Sequence, residues 1–370
     1  MKFTCEKNAL VSAISVASRT VAQKSTIPAL EGIYIQAGVK LTLSGYNLET
    51  GITISVDAEI QQTGACIMPS RLFFDIIRKL PGDTVSISVD EKFKVSIRGG
   101  ISSFSITAMS SEDYPELPEV ESDKGISLPQ NELKAMIGGT SFAVSENQAR
   151  PIHTGCLFEV EDSSITVVAV DGYRLALRRW KSEEPIGRTL KFVVPAAALK
   201  EAEKILGDTD EACTFFLGSK HILFTIGEAT LVCRLLEGEF LDWRRVLPQN
   251  QPVKLAVNVA KMTDSIERVG LIISEKLKSP VRCKFGENTA DFRSVSTIGE
   301  AHDVCQIAGD GQDMEIGFNC RYLLDALRAI PDAECSLELI NGLSPIVMNP
   351  CDGSERYSYM VLPVRLKAGE

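Results

Sequence analysis

Short runs that alternate apolar and polar residues recur along the chain, separated by stretches whose apolar residues return every three or four positions. Alternation gives a strand one buried and one wet face, while the longer spacing puts an apolar stripe on a helix. The first cycle opens at residues 3–10 and runs into a helical pattern with Leu10, Ala13, Ile14 and Ala17 on one face and Val21 a turn further on. Strand-like runs follow at Ile33-Tyr34-Ile35, Leu41-Thr42-Leu43 and Ile52-Thr53-Ile54-Ser55-Val56, and the cycle ends near Ile60. A second cycle starts at Cys66-Ile67-Met68-Pro69-Ser70. The spacing predicts a helix over 71–80, stopped by Pro81-Gly82-Asp83. Val85, Ile87 and Val89, then Phe93, Val95 and Ile97, alternate with polar residues, which predicts antiparallel strands covered on one face. A further strand is expected at Phe104-Ser105-Ile106, and the mostly charged residues 119–124 read as a linker.

The pattern then restarts. Ile126-Ser127-Leu128-Pro129-Gln130-Asn131-Glu132-Leu133 lines up with residues 3–10, and Leu255-Ala256-Val257-Asn258-Val259-Ala260-Lys261-Met262 gives a third start. Met68-Pro69-Ser70-Arg71-Leu72 is echoed by Val194-Pro195-Ala196-Ala197-Ala198-Leu199 and by Phe318-Asn319-Cys320-Arg321-Tyr322-Leu323. Each domain-length stretch ends in an aromatic followed by Leu-Pro: Tyr114 with Leu117-Pro118, Trp243 with Leu247-Pro248, Tyr359 with Leu362-Pro363. The chain therefore reads as α+β, with three repeated domains over 1–122, 123–250 and 251–370, each made of two helix-plus-antiparallel-sheet units.

Near the middle, Val170-Asp171-Gly172-Tyr173-Arg174-Leu175-Ala176-Leu177 joins two strand-like runs. Asp-Gly there signals a hairpin, because Gly tolerates the positive φ of a tight turn.

Charge changes the picture. The chain of 370 residues has a formal net charge of −10, which argues against coating nucleic acid by net charge. Yet residues 6–24 and 70–80 each carry +2 and residues 319–330 carry +1, while the other three predicted helices balance. The six helices sum to +5 and the remainder to −15, so a surface shared by the helices would be the one that attracts phosphates. No aromatic platform is interleaved with the basic residues, and no helix-turn-helix or finger motif appears.

Candidate chemistry is sparse. The ten cysteines form no CxxC pair and no zinc spacing, and read as reduced, packed thiols of a cytosolic protein. No run approaches the roughly 18 apolar residues of a membrane span. Nucleotide-binding loops, metalloprotease motifs and a nucleophile elbow are missing from the sequence. Of the histidines His153, His221 and His302, none sits beside an obvious nucleophile, and His302-Asp303 reads as part of a surface loop. No catalytic residue, cofactor or metal site is expected.

Three stretches together resemble the bacterial DNA polymerase III β subunit, the sliding clamp. They are the VDGYRLAL stretch, Phe240-Leu241-Asp242-Trp243-Arg244-Arg245-Val246-Leu247-Pro248, and Tyr359-Met360-Val361-Leu362-Pro363-Val364-Arg365-Leu366. Met1-Lys2-Phe3-Thr4 and Thr26-Ile27-Pro28 match as well. The resemblance implies a head-to-tail homodimeric ring around double-stranded DNA, with helices lining the hole and sheets outside. It implies no enzymatic activity and no sequence preference, but a tether for the replicative polymerase. It also implies a pocket for short motifs of polymerase, clamp loader and other partners, at Tyr173, Arg174, Leu175, Leu241, Arg245, Val246, Met360, Leu362, Pro363, Val364, Arg365 and Leu366. Asp171-Gly172 would aim Tyr173 and Arg174 outward on one wall, with residues 360–366 as the other. DNA contact is expected from Lys24, Arg71, Arg78, Lys79, Arg150, Arg321 and Arg328, and the dimer contact from Phe104 and Ile106 facing Leu271, Ile272 and Ile273, with Ser274, Glu275 and Lys276 as its charged rim. Tyr173 stands where the family often has His, and Lys367-Ala368-Gly369-Glu370 extend past the usual end, where they could lean on the pocket mouth. Two other readings stay open: a repeat scaffold that binds protein partners without encircling DNA, and a hydrolase using Asp171 and a histidine.

Overall fold

The computed structural model describes residues 1–121, 124–273 and 279–366. Six α-helices are described: α1 (Lys7–Ala17), α2 (Ser70–Lys79), α3 (Gln130–Gly138), α4 (Ala196–Ile205), α5 (Val259–Gly270) and α6 (Cys320–Arg328). They fall where the helical spacing placed them. At three starts a polar side chain accepts the hydrogen bond that the open first turn needs: Glu6 from the Ala9 N–H, Asn258 from Lys261 and Asn319 from Tyr322.

The chain divides into two compact units, Met1–Lys134 with Ala197–Leu235, and Ala135–Ala196 with Leu236–Glu370. These do not coincide with the three sequence repeats, and hydrogen bonding across strands gives the reason. In the first unit, Ala229–Arg234 pairs antiparallel with Thr50–Val56, Leu231 opposite Ile52, so strands of the central repeat continue a sheet begun by the first. The result is an eight-stranded sheet beside a five-stranded one that runs Ala58–Gln62, Lys2–Glu6, Thr84–Val89, Lys94–Gly99, Ser102–Thr107. The buried faces of α1 and α2 (Leu10, Ile14, Phe73, Ile77) share a core with Phe3, Ile33, Leu43, Val85 and Ile97. In the second unit a ten-stranded antiparallel sheet runs Leu190–Pro195, Gly155–Glu161, Ser164–Val170, Arg174–Lys181, Tyr357–Val361, Ile346–Pro350, Glu334–Leu339, Val253–Asn258, Gly299–Phe318, Val281–Ser296.

Two local expectations are corrected. Phe93 is a turn residue with φ +57°, and its strand begins at Lys94. His302 and Asp303 are not in a loop but in the strand Gly299–Phe318, half of a long hairpin whose turn lies at residues 297–298. Their polar run gave no apolar alternation to read, because the buried face of the hairpin there is supplied by Ala290, Phe292 and Ser294 on the paired strand.

Candidate peptide-docking cleft

Asp171 builds the turn between Ser164–Val170 and Arg174–Lys181. Its Oδ1 accepts hydrogen bonds from the N–H groups of Tyr173 (2.9 Å) and Arg174 (3.1 Å). Gly172 takes φ +91°, the left-handed region that costs a Cβ-bearing residue strain. Pairing resumes at Val170 opposite Leu175. Tyr173 is left 62% exposed.

Arg174 is turned inward, contrary to the outward aim expected for it, with 7% of its side chain exposed. Its Nε meets Asp171 Oδ2 at 2.8 Å, Nη1 meets Asp325 Oδ2 at 2.6 Å, and Nη2 donates to the Phe142 carbonyl at 2.6 Å. The guanidinium lies 4.4 Å from the centre of the Tyr322 ring, and Tyr322 stacks on Tyr173 at 6.1 Å. A cation taken out of water needs its donors matched, and the planar guanidinium fork matches two carboxylates and a carbonyl together. Arg174 thus ties the turn to α6.

The C-terminal stretch is not an opposing wall but the next strand of the same sheet. Leu175 pairs with Met360 and Arg174 with Val361, and the Leu362 N–H donates to the Tyr173 carbonyl at 2.8 Å. Beneath the seam, Leu175, Met360, Val170, Leu177, Val347, Leu157, Phe240 and Trp243 form one buried apolar cluster, with Val246, Leu247 and Leu362 half-buried against it. Leu241 and Val364 are exposed at its border, 40% and 38%. Pro363 is half-buried, Arg365 exposed, and Arg245 exposed with its Nε 3.0 Å from Asp242. Past Pro363 the chain lies along the hairpin, the Val364 N–H donating to the Gly317 carbonyl at 2.8 Å. A Cβ on Gly317 would come within 2.5 Å of Leu366, so glycine permits that approach. The expected lean of residues 367–370 on the pocket mouth lies outside the described residues.

The structure therefore gathers the expected partner residues at one seam, with Leu175 and Met360 as floor, Arg174 as an internal tie, and Tyr173, Leu241, Val364 and Arg365 at the surface. Sequence reasoning missed Phe142, Tyr322 and Asp325. Asp325 sits 151 positions from Arg174, and nothing local marks it.

Among the basic candidates, Arg78 is paired with Asp75 (3.2 Å) and Arg328 with Glu267 (2.7 Å), while Arg321 stands 3.9 Å from Asp325. Lys24, Arg71, Lys79 and Arg150 are exposed. Arg150 also borders a groove lined by Ile152, His153, Phe240 and Leu241, beside the docking cluster. Of the dimer candidates, Phe104 is exposed and Ile106 half-buried on the edge strand Ser102–Thr107. Leu271 is 82% exposed just past α5, with Ile272 and Ile273 half-buried. The expected charged rim at Ser274, Glu275 and Lys276 lies outside the described residues. Val295, Ile298 and Val304 on the long hairpin are exposed and were not anticipated.

Burial pushes the thiols of Cys5, Cys66, Cys213, Cys233 and Cys335 up to about 12, which keeps them protonated and poor nucleophiles. The Asp171 carboxylate is committed to its turn and to Arg174, not aimed at a histidine.

Repeated α+β domains joined edge to edge, with an apolar cleft at a seam, define the class of fold. Family models of the DNA polymerase III beta subunit match its N-terminal domain at residues 1–118, its central domain at 127–242 and its C-terminal domain at 244–365. The chain belongs to this family of beta sliding clamps. It is 32% identical over 381 residues to the beta sliding clamp of Staphylococcus epidermidis, covering 99% of both chains. The DNA polymerase sliding clamp of Bacillus subtilis superposes with a TM-score of 0.94 at 30% identity, covering 99% of this chain and 100% of that one. A Pseudomonas aeruginosa sliding clamp bound to griselimycin gives 0.93 at 28% identity, with the same coverage.

Proposed function

We propose that two copies of the chain close head to tail into a ring that encircles double-stranded DNA and tethers the replicative polymerase. The ring places α1–α6 toward the DNA and the sheets outside. Contact with DNA is electrostatic and indifferent to sequence, through Lys24, Arg71, Arg78, Lys79, Arg150, Arg321 and Arg328. Phe104 and Ile106 meet Leu271, Ile272 and Ile273 of the second copy. Two features support that closure: Ser102–Thr107 is a sheet edge with unpaired backbone groups, and Leu271 is an apolar side chain left in water. The family assignment over all three domains favours the ring over a scaffold that never encircles DNA. Buried, protonated cysteines fit a bacterial cytoplasm.

The observation that carries the docking role is the seam, where Tyr173, Leu241, Leu362 and Val364 border one apolar floor. A partner's short motif, with Gln and one or two Leu or Phe anchors, lays its anchors there. A Pseudomonas aeruginosa sliding clamp has been seen bound to griselimycin, so a relative of this chain takes up a small ligand. Retention on nicked circular DNA, lost on linearisation, tests encirclement. Anisotropy of a fluorescein-labelled synthetic peptide of that composition tests docking. Retention that survives linearisation, or a peptide that stays unbound, removes the corresponding half of the proposal.

A further inference from the structure

Residues 240–247 carry Leu241, Arg245 and Val246 to the cleft, yet they belong to no strand of the sheet beneath them. Their backbone hydrogen bonds run within the segment: Arg245 N–H to the Asp242 carbonyl, and the Val246 and Leu247 N–H groups to Trp243. Among the described residues, the hydrogen bonds that reach the sheet end on two carboxylates of the strand Gly155–Glu161. Trp243 Nε1 donates to Glu159 Oε2 at 3.1 Å, Arg244 Nη1 donates to the same oxygen at 2.8 Å, and Arg244 Nη2 donates to Glu161 Oε1 at 3.2 Å. Lys191 on the neighbouring strand takes Oε1 of Glu159 at 3.3 Å. Glu159 is 7% exposed, and the Arg244 guanidinium lies 4.2 Å from the centre of the Trp243 ring.

Strand alternation explains the construction. Leu157, Glu159 and Glu161 point to one face of the sheet. Leu157 joins the apolar floor with Phe240 and Trp243, and two residues on, Glu159 meets the one polar atom of the indole. A carboxylate under cover is tolerated because both its oxygens are matched by donors. The ring of Trp243 fixes how deep the segment lies, and its N–H fixes its position along the strand. Leu241 and Val246, on either side of Trp243, are thereby held at the rim.

We infer that Glu159 is a positioning residue for partner docking: it latches Trp243 and Arg244 so that Leu241, Arg245 and Val246 are presented to an incoming peptide. This rests on the docking role proposed for the cleft. Glu159 itself lies beneath the segment and touches no partner.

The test uses the full-length chain with Trp180→Phe, leaving Trp243 as its one tryptophan, and compares Glu159→Gln and Glu159→Leu in that background. Binding of the labelled peptide is followed by anisotropy and Trp243 emission is recorded alongside. Glu159→Gln keeps an acceptor for Trp243 and Arg244 and stays within about threefold of the parent in affinity. Glu159→Leu weakens the peptide at least tenfold and shifts Trp243 emission to the red, while retention on nicked circular DNA is unchanged. Should Glu159→Leu fail to fold, Trp243→Phe, which keeps an aromatic ring in the floor and removes the donor, weakens the peptide about threefold or more. Affinity in Glu159→Leu within twofold of the parent overturns the inference, and so does weakened binding with unmoved Trp243 emission. A parent protein that ignores the peptide removes the docking reading instead, and the Trp243 shift still decides whether the latch exists.

Discussion

Replacing Arg174 with Met keeps an aliphatic stem and removes the guanidinium, so it separates the ionic tie from the packing of the chain around it. The loss strands three acceptors at once: Asp171 Oδ2, Asp325 Oδ2 and the Phe142 carbonyl. Removing one partner of a covered ion pair costs about 3–5 kcal/mol, because the charge left behind is neither solvated nor matched. Two details pull toward the lower end. Asp171 keeps its two N–H donors, and Asp325 is 23% exposed with Arg321 3.9 Å away. Loss of the cation over Tyr322 adds about 0.5–2 kcal/mol. In a unit of roughly 200 residues, each kcal/mol moves the midpoint by about 2–4 °C, so a fall of about 7–28 °C is expected, nearer the lower end. The chain offers a selective probe: both tryptophans, Trp180 and Trp243, belong to the unit that holds Arg174. Thermal unfolding followed by their fluorescence therefore reports on that unit alone. The double variant with Asp325→Asn should recover part of the loss, since it removes a stranded charge, with a coupling of about 0.5–3 kcal/mol. A midpoint lowered by less than 2 °C, or strictly additive single effects, would refute the account of Arg174 as a covered tie.

Other outcomes follow from the same geometry. Deleting residues 362–370 should weaken the peptide at least tenfold, since burial of one apolar anchor contributes roughly 1.5–3 kcal/mol and about 1.4 kcal/mol is tenfold. Cutting from Met360 instead would also remove the buried Met360 and Val361 and lower the tryptophan-detected midpoint, so the two deletions should part in a thermal scan. Alanine at both Ile272 and Ile273 should give folded monomers of 40.3 kDa; a dimer still seen by sedimentation at micromolar concentration would remove this interface. Alanine at Arg71 and Lys79 should reduce the salt slope of duplex binding by about 1.8, roughly 0.9 per phosphate contact, equally for two unrelated sequences. Burial, then the neighbouring Arg150, holds the His153 imidazole below its ordinary range. A folded state that binds the proton less well than the unfolded one is stabilised above the unfolded value near 6.5 and loses that stability as pH falls through it. His153→Phe should flatten this acid-side decline in the tryptophan-detected midpoint between about pH 7 and pH 5.5.

Much of the architecture was legible because each element is signalled locally. The alternation of Val85, Ile87 and Val89, the breaker Pro81-Gly82-Asp83 and the restarts of the pattern all act within a few residues. The stretches proposed for docking were legible as residue types, since Tyr173, Leu241 and Leu362 border one apolar cluster. What the sequence hid was direction and partnership. Arg174 looks like a rim cation by its place after an exposed turn, but its destination depends on Asp325 and Phe142, and no spacing rule links those positions. Leu236 and Val253 bracket a segment with no periodicity, so the dependence of that segment on Glu159 was invisible. The hairpin over residues 281–318 was missed for a different reason: in its outer half the buried face comes from Ala290, Phe292 and Ser294 on one strand, while Glu300, His302 and Asp303 on the other show no apolar alternation.

Why the cleft forms where it does follows from the ends of sheets. Each repeat, folded alone, would finish in an edge strand whose N–H and C=O groups lack partners, and such edges invite uncontrolled pairing. Arg174–Lys181 and Tyr357–Val361 remove this hazard by pairing with each other. Fusion fixes the register of two stretches that are about 185 residues apart in sequence, and it does so with backbone hydrogen bonds that no side-chain substitution can delete. The seam cannot extend past its Arg174–Val361 end, however, because both strands leave it there. The turn at Asp171-Gly172 departs on one strand, and Leu362-Pro363 departs on the other, where proline has no N–H to continue the ladder. Apolar side chains that would be covered in a longer ladder (Leu362, Val246, Leu247) are left half-buried there, over a floor that is fully packed. A rigid apolar floor with a frayed polar border is the arrangement in which a short extended ligand gains affinity without reorganising its host. Joining two repeats thus solves an edge problem and leaves a half-covered apolar cleft as its by-product, which accounts for the position of the proposed docking site at the seam between domains rather than within any one of them.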